Sequence, residues 1–345
     1  MAAALVRLPT SMERLFILCR TILNLPRARS FRLTEAGVSR KASTNFTMKR
    51  IAIGIDLGCT NIKAVLIDED GTILHQDRRE TNEQDDQYWK HEVNHLIKDL
   101  KKQSQKEINT IGLCAPGLAD ANNTCIACMP GRLPGLENFI WSDFTKENIF
   151  VLNDAHAALT AEASFGAAKG MQHAFLLTLG SGVGGGILIN GHLYQGLSQM
   201  AGHFGHTTVE SNAHARDVTN MPGSIEDAIG NITIVQRSHG KFNTTFELIE
   251  AFKRGETFAT WLWLSSVRKL AISIASAINM ISPEVVIIGG GIAQAGDALM
   301  KPLKTFLELY EWRPGGKQTP LKLAQFSDMA GAIGAAGFAL SKTKN

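Results

Sequence analysis

The chain has 345 residues, 44% hydrophobic and 19% charged, a globular composition with the length for two sizeable cores. Its formal charge of +3 comes from residues 1–50, which carry ten Lys/Arg against Glu13 and Glu35; the other 25 basic and 30 acidic residues make a mildly acidic body, which argues against nucleic acid as the main partner. Five scattered cysteines make no disulfide framework and fit a reducing compartment, and no apolar run approaches the roughly 20 residues of a spanning helix, so no membrane partner is expected.

Residues 1–47 are rich in Arg and Ser/Thr, nearly free of acid, and lack the periodicity that starts at Lys49. They read as an organelle transit peptide or as sequence upstream of a true start at Met48, and are set apart from the fold. Strands are expected at about 50–57, 62–68 and 72–79. The stretch IAIGIDLGCTNIKAVLIDEDGTI, Ile51 to Ile73, is a strand, a turn at Gly58, a second strand and an Asp70-Gly71 turn. Gln84 to Gln105 is charged, with Trp89, Val93, Leu96, Ile97 and Leu100 at helical spacing, which predicts a surface helix. Ile108 to Leu113 is the next strand. It ends in Ala115-Pro116-Gly117, a tight turn at a strand's C-terminal end, where open α/β sheets bind ligands. Cys125 and Cys128 form a lone C-x-x-C without the second pair that a zinc ribbon needs. Met129 to Gly135 is rich in turn formers and long enough for a binding loop. Phe150-Val151-Leu152 is a strand that delivers Asn153-Asp154 to the start of a helix ending near Gly166; those two residues can cap the helix, face a cleft, or do both.

The stretch AFLLTLGSGVGGGILINGHLYQ, Ala174 to Gln195, repeats the design: strand, glycine turn, strand and an Asn190-Gly191 hairpin turn. Gly180, Gly182 and Gly185 satisfy G-x-G-x-x-G, but a strand follows where a dinucleotide fingerprint requires a helix. Successive backbone N–H groups in such a turn make a phosphate nest. Asp56-Leu57-Gly58 aligns with Thr178-Leu179-Gly180, and Ala64–Ile67 with Gly186–Ile189, so the chain reads as a duplication with one phosphate hairpin per lobe and a nucleotide in the cleft between. Gly202-His203-Phe204-Gly205-His206 follows, then a polar irregular segment to Gly223 and a helix opened by Ser224-Ile225-Glu226-Asp227. Phe258 to Ile281 is an apolar helix whose Trp261 and Trp263 read as core. Glu284 to Ile288 is a strand, and Gly289-Gly290-Gly291 leads to a helix near Gly296, offering bare backbone to a base or ribose. Met329 to Leu340 is a small-residue helix suited to close packing on another helix.

Together, Asp56-x-Gly58-x-Thr60-x-x-Lys63, Ala115-Pro116-Gly117, Asn153-Asp154-Ala155, the Gly180–Gly186 hairpin, Gly202-x-x-Gly205-His206 and Gly289–Gly291 resemble the ROK family of bacterial-type sugar kinases, within the sugar-kinase/actin/Hsp70 superfamily. The ordered match runs from about residue 49 to 341. The resemblance implies an α/β, two-lobed RNase H-like (actin-like ATPase) fold with a duplicated β-sheet domain and an interlobe cleft. The lobes would be residues 48–155, with helix 328–341 packing back, and 156–327. It implies ATP-dependent phosphorylation of a glucose-like or N-acetylated hexose, with Asp154 as general base and Asn153, His203, His206, Glu226 and Gly117 at the sugar. Asp56, Gly58, Thr60, Asn61, Lys63, Gly180, Ser181, Gly182, Gly184, Gly290 and Gly291 would hold ATP, with Asp56 on Mg²⁺ through water. A cytoplasmic homodimer is expected, or an organellar one if the leading segment is a transit peptide.

Three departures from the family pattern stand out. Its members usually carry zinc on the motif His and three following cysteines, but the segment Asp217 to Ser224 has none, so zinc is not expected and the loop bearing Glu226 is expected to be ordered by packing alone. His203 stands where an acid is usual, and can donate as well as accept. Cys59 replaces a glycine in the first phosphate turn, a candidate site of regulatory oxidation. Two other readings remain open: a sugar-responsive regulator, for which the leading residues, with Pro9 and Pro26, leave little room for a DNA-binding domain, and a catalytically inactive sugar-binding protein.

Overall fold

The computed structural model describes residues 49–343 apart from 84, 105, 130, 212–215 and 218. The leading segment 1–47 and Met48 lie outside the described residues, as do Gln84, Gln105, Pro130 and Val218 of the segments named above.

The first half contains β1 (Ile51–Leu57), β2 (Asn61–Asp68), β3 (Ile73–Glu80), α1 (Asp86–Gln103), β4 (Ile111–Ala115), β5 (Leu118–Ala119), β6 (Ile126–Cys128), α2 (Trp141–Thr145), β7 (Ile149–Asn153) and α3 (Asp154–Phe165). The second contains β8 (Ala174–Leu179), β9 (Val183–Ile189), β10 (His192–Tyr194), α4 (Ile225–Ile229), α5 (Ile234–Arg237), α6 (Thr245–Lys253), α7 (Thr257–Ile281), β11 (Val285–Gly289), α8 (Asp297–Tyr310), β12 (Leu321–Leu323) and α9 (Ala330–Lys342). Two five-stranded sheets result, ordered β3-β2-β1-β4-β7 and β10-β9-β8-β11-β12. In each, an antiparallel three-strand meander continues into two parallel strands, so the duplication read from the glycine turns extends to the whole sheet.

Burial explains the strand compositions. β1 is apolar almost throughout because both its faces are covered, whereas β3, an edge strand, is mostly exposed and polar. On one face of the first sheet α1 buries Trp89, Val93, Leu96, Ile97 and Leu100, the periodic set expected for it. On the other face lies α9. A Cβ on Gly54 of β1 would fall 1.9 Å from Ala332 O, and one on Gly334 of α9 only 1.7 Å from Ala157 O. The Ala/Gly-rich helix thus touches both the sheet and α3, the close helix contact its small side chains predict. The second core forms where α7 and α8 cover β8 and β11.

Two expectations about α7 are corrected. Trp263 is fully buried and donates Nε1–H to Ala298 O at 2.8 Å, but Trp261 is 63% exposed and stacks on Phe258. At 25 residues α7 is also long and apolar enough to meet a membrane-span criterion, which the search for apolar runs did not anticipate; its hydrophobic inner face fills the second core.

Candidate active site

Both glycine turns are closed hairpin tips with spare donors. In the first, Gly58 N–H bonds Asn61 O at 3.0 Å; in the second, Gly180 N–H bonds Gly182 O at 2.9 Å. The amides of Cys59 and Thr60 at one tip, and of Ser181 and Gly182 at the other, donate to no described residue. Four unused N–H groups on two tips suit an anion with several oxygens. Segment 231–232 braces the second tip through Asn231 N–H to Gly180 O and Ile232 N–H to Ser181 O, both 3.0 Å. Gly184 lies within β9, where the missing Cβ leaves room for Ala155 and the Thr178 hydroxyl; it serves packing rather than presenting a free tip amide.

A cavity of about 320 Å³ between the sheets is lined by Asp56, Gly58 and Lys63 from the first hairpin, Asp154 at the start of α3, and Thr178 and Gly289 from the second sheet. Asp56 ends β1 and Asp154 opens α3, so two strand ends bring carboxylates to one floor. Burial pushes Asp56 up to about 6, partly countered by Lys63 and reinforced by the nearby charge of Asp154. Asp154 opens to solvent at the cleft but is ringed by protein; desolvation raises its pKa against the lowering effect of Ala155 N–H, which bonds its Oδ1 at 2.7 Å. Lys63 Nζ lies 3.8 Å from Asp56 Oδ2 and donates to Asp328 O at 2.6 Å. Asp328, which arrives from just before α9, also pairs with Arg78. Two carboxylates offset by one lysine, beside free amides, leave a negative charge that fits a divalent cation.

Asn153 is the N-cap of α3: its Oδ1 accepts Ala155 N–H at 2.9 Å and His156 N–H at 3.2 Å, while Nδ2 donates to Gly117 O at 2.8 Å. It therefore pins the Gly117 turn, whose φ of +100° and closeness to Cys128 O admit only glycine, beside the start of α3. Against the desolvation that raises the Asp154 pKa, the Asn153 side chain also bonds that carboxyl and lowers it.

The loop from His203 to Glu226 converges on the second hairpin. Glu226 is buried, accepts Val183 N–H at 2.9 Å, and packs where a Cβ on Gly182 would lie 2.2 Å from its Oε2. It thereby ties α4 to the phosphate tip. His206, Asp217 and Glu226 each place a ligating atom within 4.8 Å of the others. The expectation that packing alone orders this loop is corrected: Asp217 Oδ1 accepts from Thr219 N, Thr219 Oγ1 and Met221 N at 2.9, 2.7 and 3.0 Å, and its Oδ2 meets His206 Nδ1 at 3.1 Å. These bonds hold the Asp217 carboxyl down at about 2. His203 sits with its ring 5.4 Å from that of His156; burial and the two neighbouring histidines push it down to about 4, so it is neutral near pH 7. Sequence reasoning missed His156, Asp217, Thr219 and Asp328. Only His156, two residues beyond Asp154, carried a positional signal. Cys59 is half-buried and desolvation raises its pKa, the reverse of a reactive thiolate.

A larger cavity of about 500 Å³ lies beyond the second tip, lined by Gly180, Ser181, Thr244, Thr245, Gly291 and Ile292 among others. Gly290, at φ +84°, lets the chain after β11 pass against Leu179. The arrangement leaves bare backbone for a planar base, continuous with the hairpin that would hold its phosphates.

The family model named ROK family matches residues 52–342. The glucokinase of Thermotoga maritima is 31% identical over 276 residues, 73% of this chain and 85% of its own. A solved ROK hexokinase from Thermus thermophilus superposes with a TM-score of 0.74 at 27% identity, covering 85% of this chain and 99% of that one. The xylose repressor of Bacillus spizizenii is 32% identical over 167 residues, 47% of this chain and 43% of the repressor. A family match over nearly all of the described residues, on two like sheets enclosing a carboxylate cleft, places this chain in the ROK family.

Proposed function

We infer that the chain is an ATP-dependent sugar kinase that transfers the γ-phosphoryl group of ATP to a hydroxyl of a hexose, glucose-like or N-acetylated, with Asp154 as general base. The observation that carries this reading is the placement of Asp154, a carboxylate of raised pKa, in one cavity with Asp56 and the first glycine tip. A sugar hydroxyl within about 2.6–3.2 Å of Asp154 passes its proton to the carboxylate as its oxygen bonds phosphorus and ADP departs, a general-base effect commonly worth about 10²–10⁴. A raised pKa serves that role, because a base near the working pH takes the proton more completely. Backbone amides of Cys59, Thr60, Ser181 and Gly182 are suited to bind phosphate oxygens, and Lys63 adds a positive charge beside Asp56. Asp56 would hold Mg²⁺, through water, and the ion would supply charge neutralisation at the phosphates.

His206, Glu226, His203, Asn153 and Gly117 form the proposed sugar side. Zinc has no role in this proposal: the segment has no cysteine, and the Asp217 and Glu226 carboxylates already accept hydrogen bonds within the protein. The regulator reading is less supported, since the repressor match spans less than half of either chain. The test is sugar-dependent ADP release with Mg·ATP over glucose, mannose, N-acetylglucosamine, N-acetylmannosamine and N-acetylgalactosamine. At least one sugar should give product and raise ADP release at least 100-fold over water; no sugar dependence, together with sugar-released binding to DNA fragments, would replace the kinase with the regulator.

A further inference from the structure

The hydrogen bonds around Asp217 determine which nitrogen of His206 carries a proton. His206 Nδ1 faces two groups, Asp217 Oδ2 at 3.1 Å and Thr219 Oγ1 at 3.2 Å. A carboxylate only accepts, and the Thr219 hydroxyl hydrogen is already committed to Asp217 Oδ1 at 2.7 Å, so both partners offer lone pairs. Nδ1 must therefore be the donor, and in the neutral ring Nε2 is left as a bare acceptor. Nε2 has no hydrogen-bond partner among the described residues, and the side chain is 31% exposed. Asp217 itself is immobile: its side chain is fully buried and both oxygens are engaged. Ser224 Oγ caps α4, the helix that carries Glu226, by accepting Asp227 N–H at 3.1 Å, and it lies close enough to Asp217 to help lower that carboxyl's pKa.

We propose that Asp217 is a positioning residue for sugar recognition: it locks His206 in the Nδ1–H tautomer, so that Nε2 accepts a hydrogen bond from a sugar hydroxyl. The proposal rests on the kinase reading for the identity of the ligand, but the tautomer follows from the protein's own bonds. Its consequence is a rule of selection. The sugar group facing His206 must donate, so a hydroxyl is admitted and a fluorine at the same carbon is rejected.

Asp217→Asn is the informative variant. Its Oδ1 can keep the bonds from Thr219 and Met221, while the new Nδ2–H faces His206 Nδ1 and selects the tautomer with Nδ1 bare and the proton on Nε2. The loop stays held and the recognition polarity reverses. Two measurements decide the matter. First, ¹⁵N spectra of histidine-labelled protein at pH 8, with His206 assigned by His206→Gln, should show a protonated Nδ1 in the wild type and a protonated Nε2 in Asp217→Asn. Second, with whichever hexose of the panel above is phosphorylated fastest, Asp217→Asn should raise the sugar KM about tenfold, the size of one lost hydrogen bond, with kcat changed less than about threefold. Across the monodeoxyfluoro derivatives of that hexose, one position should bind at least about tenfold worse than the parent sugar to the wild type and recover in Asp217→Asn. An unprotonated Nδ1 in the wild type, whether through the opposite tautomer or a bound metal, overturns the proposal, as does a fluorine penalty that Asp217→Asn leaves unchanged. If no sugar is phosphorylated the kinase reading falls, while the ring spectrum still decides the tautomer.

Discussion

The two glycine hairpins have the same topology but different chemistry. In the first, Asp56 pairs across the strands with Lys63; at the equivalent register in the second, Thr178 pairs with Gly184. The first therefore brings a carboxylate and an ammonium to the cleft, the second neither. Both tips are braced from behind, the first by Thr81, which donates to Gly58 O and Thr60 O, the second by Asn231 and Ile232; only the second is also tied to α4, by Glu226 through Val183. In the proposed function the duplicated unit is divided accordingly: the first hairpin would handle the charge of the ion and phosphates, and the second would link the Glu226 loop to the nucleotide.

Alanine substitutions should separate these roles. A Cβ on Gly182 would meet the buried Glu226 carboxylate, so Gly182→Ala must displace the sugar loop and should raise the KM of both ATP and sugar, each by about tenfold or more. Gly58→Ala meets only Asn61 O at 3.0 Å and should alter ATP alone, by no more than about threefold. Initial-rate kinetics with each substrate varied would check this; equal effects on both substrates from both variants would remove the distinction.

Acid should act through the charged hairpin. Asp56 is held up at about 6 and Asp154 is also raised, and both must be ionised for their proposed roles. The rate at subsaturating substrate should therefore fall as pH drops through about 6, and a pH–rate profile that stays flat to pH 5 would contradict this. The same shift makes Asp56 costly to the fold at neutral pH. Its folded pKa lies above the unfolded value of 3.8, so its stabilising effect is complete below about pH 4 and is lost as pH rises through about 6. Asp56→Asn should raise the stability of the ligand-free protein at pH 7 by about 1–3 kcal/mol, with no gain at pH 4, while weakening Mg·ATP. Thermal melts at the two pH values would measure it.

The smallest expected effect concerns Cys59, the residue that differs from the glycine of the family pattern. With its pKa raised, Cys59 should react with iodoacetamide more slowly than exposed Cys128, and Cys59→Gly should change ATP affinity less than about twofold. Loss of activity on mild oxidation that Cys59→Gly prevents would instead restore the regulatory role.

What was legible in the sequence depended on locality. Glycine turns, the Asn190-Gly191 turn with both φ values positive, and the apolar period of α1 are written in neighbouring residues, so both hairpins and the doubled sheet could be read directly. Asn153-Asp154 was legible as a strand-end pair, although its division of labour was not: Asn153 spends most of its hydrogen-bonding capacity on the helix cap and Gly117. Asp217 was hidden because it lies in an irregular polar segment, where no period reveals which carboxylate turns inward. Asp328 reaches Lys63 across 265 residues, a contact that no local pattern encodes. The two tryptophans of α7 show the limit of composition: two residues apart, they lie about 200° apart around the helix, one ring in the core and the other on the surface.

The central claim is that Asp154 takes the proton of the sugar hydroxyl while the rest of the cleft binds and orients. The most direct measurement is single-turnover transfer by Asp154→Asn under sugar and Mg·ATP concentrations shown by calorimetry to saturate it. Affinity for the sugar should stay within about threefold of wild type while the transfer rate falls by about 10²–10⁴. A transfer rate within tenfold of wild type would contradict the account, because the base would then lie elsewhere.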